Sequence, residues 1–185
     1  MKRIGGVLLA IAFLANGTAF AGPSGSTLWT SSGSGCVIDP ASTSLAAWTS
    51  SVSRVTFSGN NTGTIVLVCP ITAFHTVDSG YASPDRWNIV FYDTDGTTDT
   101  CSVSMALVTQ STSSTDSGYL VTQYDGTADG SLASSPYRNS ETSTFSESWD
   151  FDNYFYYFKV DLVRGSTGCN ATLVGLTLGT PVSSP

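Results

Sequence analysis

Between Tyr156 and Val163 the chain alternates strictly. Tyr156, Phe158, Val160 and Leu162 fall on one face, and Tyr157, Lys159, Asp161 and Val163 on the other. The charges are confined to the second face, and a period of two with that segregation is the mark of a half-buried β-strand. Asn153 to Arg164, with Trp149 and Phe151 leading in, is the densest aromatic and β-branched run of the sequence. It predicts a central strand of an all-β domain.

The same pattern recurs more weakly elsewhere. Val52 to Phe57 and Thr64 to Cys69 read as a hairpin around Ser58-Gly59-Asn60-Asn61-Thr62-Gly63. Trp87 to Tyr92, Ser102 to Gln110, Tyr119 to Tyr124, Thr142 to Trp149 and Asn170 to Leu178 are further strands, separated by Gly, Asp and Ser turns. Ala41 to Ser51 holds at most one helical turn, and Asp125 to Ser140 reads as an exposed, loop-rich excursion. About eight strands without an amphipathic helix predict an antiparallel two-sheet β-sandwich, jelly-roll or Greek-key like, with a closed barrel as the alternative. No repeat of fixed period points to a propeller or solenoid.

The N-terminus adds a compartment. Met1-Lys2-Arg3, the apolar run Ile4 to Leu14 and the small-residue site Ala19-Phe20-Ala21 together predict a signal peptide over residues 1–21, so that no membrane span remains after cleavage. Residues 22–35 are Ser/Gly-rich and read as a flexible leader, and residues 36–185 as one β-sandwich domain. Cys36, Cys69, Cys101 and Cys169 then suit two disulfides, because their spacing contains no Cys-x-x-Cys pair for zinc. The favoured pairing is Cys36 with Cys69 and Cys101 with Cys169. The expected location is secreted, extracellular or periplasmic.

Charge narrows the partners. The full chain carries a net charge of −7, and cleavage would leave only Arg54, Arg86, Arg138, Lys159 and Arg164 against 14 carboxylates. Such an acidic protein, without a basic cluster, repels phosphate backbones and argues against nucleic acid as a partner.

Catalytic chemistry finds few residues. His75 is the only histidine, with Asp78 and Ser79 close by, but there is no Gly-x-Ser-x-Gly elbow. Glu141 and Glu147 are the only glutamates; on one continuous strand they would lie about 20 Å apart at ~3.3 Å per residue, too far for either glycosidase geometry. A secreted, glycosidase-like hydrolase would therefore need Glu147 with a partner Asp. For metal, Asp93, Asp95 and Asp99 surround Gly96 in a short polar loop and form the candidate calcium site, with Asp150 and Asp152 a weaker cluster. The competing reading is a hairpin turn in which Asp caps its own backbone.

Exposed rings are the remaining signal. Trp149, Tyr154 and Tyr157 are the candidate ligand-binding residues, since a ring face stacks on the apolar face of a sugar or packs in a protein interface. The expected function is extracellular binding or assembly by a non-catalytic sandwich: a carbohydrate or protein surface as partner, or self-assembly into an envelope or filament structure. For assembly, residues 22–35 are the segment expected to exchange between copies.

Overall fold

The computed structural model describes residues 27–49, 53–73, 83–94, 100–113, 118–126, 137–142 and 145–180. They form a nearly all-β sandwich. Its strands are β1 (Thr27–Ser32), β2 (Val37–Ile38), β3 (Ala46–Thr49), β4 (Arg54–Phe57), β5 (Gly63–Ile71), β6 (Arg86–Asp93), β7 (Cys101–Ser111), β8 (Tyr119–Asp125), β9 (Tyr137–Thr142), β10 (Tyr154–Arg164) and β11 (Ala171–Gly179). One sheet, here sheet A, runs β3-β4-β11-β6-β9, with β1 also on β11; sheet B runs β2-β5-β10-β7-β8. All pairings are antiparallel.

The aromatic run is the central strand of sheet B, as its alternation predicts. β10 pairs along its length with β5 on one side and β7 on the other. Tyr156, Phe158, Val160 and Leu162 are buried, whereas Tyr157, Asp161 and Val163 are half-buried and Lys159 is exposed. The inner faces of the two sheets meet over one core. Trp29 of β1 reaches Phe158 with ring centroids 5.7 Å apart, and Tyr124 of β8 meets both Trp87 and Phe91 of β6. Such ring pairs add to the burial of apolar area that drives the sheets together.

Several local expectations are corrected. Val52 to Phe57 and Thr64 to Cys69 do not form a hairpin: β4 belongs to sheet A and β5 to sheet B, so the Ser58–Gly63 connection crosses the sandwich. A long turn between two apolar runs is compatible with either geometry, and only the core decides. Residues 27–35, expected within a flexible leader, hold β1 and a short 3-10 turn at Gly33–Gly35. Leu28 and Trp29 supply the anchoring, and the turn passes so close to β11 that a Cβ on Gly33 would lie 2.6 Å from the Leu173 carbonyl oxygen. The strand expected at Thr142 to Trp149 is displaced: β9 occupies Tyr137–Thr142, beginning in the last residues of the expected loop, and residues 145–150 are irregular. The helical turn near Ala41 is a 3-10 turn at Pro40–Ser42, started by the Asp39 carboxylate accepting from the Ala41 N–H at 2.9 Å.

Disulfides join Cys36 to Cys69 and Cys101 to Cys169. The first clips the short β2 to β5 within sheet B. The second ties the start of β7 to the connection that carries the chain from β10 over to β11. Arg164, buried at the same end, donates from Nη1 to the Gly59 carbonyl at 2.8 Å, from Nε to that of Ser166 at 3.3 Å and from Nη2 to that of Thr167 at 3.2 Å.

Candidate binding face

The outward residues of sheet B form one surface, and strand register places them. Lys159 stands beside Ala106 of β7, and Ala106 beside Gln123 of β8. One step on, Asp161 stands beside Ser104, and Ser104 beside Asp125. The small side chains of Ser104 and Ala106 make a low floor between taller polar walls, giving an open groove of about 220 Å³. On its β10 wall Lys159 Nζ lies 3.4 Å from Asp161 Oδ2, an ion pair between residues two apart on the same face.

Towards the other end of the strands the same surface turns apolar. Pro70, Tyr157, Val108 and Leu120 stand in one row across β5, β10, β7 and β8. Phe155 follows on β10 and is 63% exposed; Leu120 is 58% exposed. Of the exposed large apolar side chains among the described residues, Leu120 and Phe155 belong to this stretch; Val37 lies beyond β5 on β2, and Tyr119 is in register with the buried Thr109 on the other side of the sheet. Isolated exposed hydrophobics are ordinary, whereas here an apolar row adjoins a polar groove on one face, which makes that face the candidate site. A bulge on β8 helps to shape it: Leu107 opposes Thr122 and Val108 opposes Leu120, leaving Val121 as the extra residue.

The residues expected to bind divide on this geometry. Tyr157 is on the face, half-buried in the apolar row. Tyr154 packs partly buried against the core instead. Trp149 is corrected outright: it is 9% exposed, and its indole N–H donates to the Pro84 carbonyl at 3.1 Å. The alternation of Tyr156 to Val163, extended back by one residue, puts Phe155 on the face of Tyr157. Nothing in the sequence signals that Ser104, Gln123 and Asp125 join Lys159 and Asp161, since that depends on strand order.

Trp149 belongs to an aromatic cap over one end of the sandwich. Its ring lies 4.6 Å from Tyr156 and 5.9 Å from Phe151, the latter stacked, with Phe145 at 6.3 Å. The Tyr156 hydroxyl accepts from the Asp150 N–H at 2.8 Å and is 3.3 Å from the Ser148 carbonyl. Burial pushes the Glu147 carboxyl above its ordinary range, and a hydrogen bond with Tyr156 offsets this only in part. The Tyr156 phenol is likewise raised, chiefly by burial. Asp150 is held below the ordinary carboxylate range, mainly by the Asn153 side-chain amide at 2.8 Å, and its Oδ1 also accepts from the Asp152 and Asn153 N–H groups. That carboxylate therefore shapes the turn into β10, the capping role that competed with metal binding.

Of the expected calcium loop, Asp93 is buried at the end of β6, while Asp95 and Asp99 lie outside the described residues, as does His75. Among the described residues no three His, Cys, Asp or Glu side chains are grouped to hold a metal ion. Nor is any helix among them long and apolar enough to cross a membrane.

No protein-family model matches the chain, and a search of curated proteins finds no match. Among solved structures the chain is similar to a carbohydrate-binding module, CBM36, in complex with calcium and xylotriose. The identity is 9% and the TM-score 0.47, over 82% of this chain and 100% of that one.

Proposed function

We propose that the protein is a non-catalytic extracellular or periplasmic module that binds glycans on the outer face of sheet B. The observation that carries this reading is the continuity of Phe155, Tyr157 and Leu120 with the groove bounded by Lys159, Asp161, Gln123 and Asp125. A sugar ring has an apolar C–H face and a rim of hydroxyls, and this surface offers a counterpart for each. The two disulfides suit an oxidising compartment.

The competing readings are less well supplied. Strand exchange through the leader draws on a segment whose residues 27–32 already pair with β11 of the same chain. A hydrolase built on Glu147 draws on the raised carboxyl of that residue. Affinity electrophoresis in gels containing soluble polysaccharides tests the proposal. Wild-type protein is expected to be retarded by at least one polysaccharide, and Phe155→Ala with Tyr157→Ala to weaken that retardation about tenfold or more. Undiminished binding by the double variant overturns this placement of the site.

A further inference from the structure

We propose that Lys159 and Asp161 form a subsite for a vicinal diol on an uncharged sugar ring, and that the groove around them rejects acidic glycans. The inference rests on the glycan-binding reading of this face and names the class of ligand that the face selects.

Asp161 presents two unlike oxygens. Oδ2 lies 3.4 Å from Lys159 Nζ, whereas Oδ1 is screened from solvent and accepts no hydrogen bond from the protein. The exposure of the Asp161 side chain therefore lies with Oδ2, which keeps acceptor capacity towards the groove beyond its contact with Lys159. Lys159, about half exposed, carries three ammonium donors and retains some beyond its contact with Asp161. An acceptor and a donor side by side suit two adjacent hydroxyls, one donating to Asp161 and its neighbour accepting from Lys159. Ser104 and Ala106 are the low floor that lets a ring come down between the walls.

Charge sets the exclusion. The groove holds two carboxylates, Asp161 and Asp125, against the single ammonium of Lys159, and the chain as a whole carries −7. A uronic acid entering this field meets repulsion locally and at long range, whereas a neutral ring meets neither.

The test compares retardation of wild type, Asp161→Ala, Lys159→Met and Phe155→Ala in gels containing hydroxyethylcellulose, galactomannan or polygalacturonate, with thermal melting to confirm folding. The expected result is binding of a neutral polysaccharide, little or none of polygalacturonate, and a loss of about tenfold or more in both Asp161→Ala and Lys159→Met. If a neutral polysaccharide binds and Asp161→Ala retains full affinity, or if polygalacturonate binds equally well, the subsite is overturned while the glycan-binding reading stands. If the wild type binds none of the three polysaccharides, both fall together.

Discussion

The two central strands, β10 and β11, are treated differently by their surroundings. β10 buries only alternate residues and gives the others to an open surface. Every residue of β11 is buried, and across from it Asn88 and Val90 on the outer side of β6 are buried too. Sheet A is therefore enclosed on both faces in its middle, with Thr172 and Thr177 spent on the covered side. Sheet B is enclosed on one. The difference shows where each sheet invests its side chains: in sheet A both faces serve stability, whereas one face of sheet B is left open to solvent.

Placing a charge on each outer face is the sharpest way to break this comparison. Val90→Asp, at a position 2% exposed, is expected to cost about 4 kcal/mol or more, because the new carboxylate has no partner and no water. Val68→Asp, on the half-exposed outer face of β5, is expected to cost less than about 1 kcal/mol. Urea unfolding midpoints measure both, and equal costs would mean that the faces are not distinct. A smaller effect is expected on the core side of β10. Tyr156→Phe keeps the ring against Trp149 but leaves the Asp150 N–H without its acceptor, at a cost of about 1–2 kcal/mol.

The smallest effect is a pH dependence. The folded-state pKa of Glu147 is raised, so the folded protein holds its proton more tightly than the unfolded chain does. Its contribution is then most favourable below the ordinary value of about 4.3 and is lost as pH rises through the raised value. Glu147→Gln is expected to remove that small loss, so that the variant gains on the wild type between about pH 4.3 and 7. A constant difference in urea midpoint across that range would contradict it.

The same comparison explains what could be read in advance. β10 was legible because one open face imposes a period of two, and Tyr156 to Val163 carries it without a break. β11 was recognisable as a strand, but its alternation breaks at Val174, the extra residue of a bulge against β6 between Leu173 and Gly175. Trp149 was misplaced for a related reason. It lies in an irregular segment, where spacing gives no face, and only the Pro84 carbonyl and the rings around it reveal its burial. The groove was half legible: Lys159 and Asp161 follow from parity on one strand, but Ser104, Gln123 and Asp125 join them through lateral neighbours that no local pattern encodes.

The position of the two central strands also governs how the chain reaches its fold. β10 and β11 come last in the sequence of strands, yet every other strand except β2, β3, β8 and β9 pairs directly with one of them. Ile71 waits for Tyr156, Gly63 for Arg164, and Ser32 for Gly175. During synthesis β5 and β7 have no shared neighbour to join them, and closing such long loops before any contact forms is entropically slow. Folding in milliseconds to seconds, begun only after β10 has been made, is the kinetic consequence of that order. Until then the waiting strands present open edges to other chains, the condition under which secondary contacts turn into aggregation.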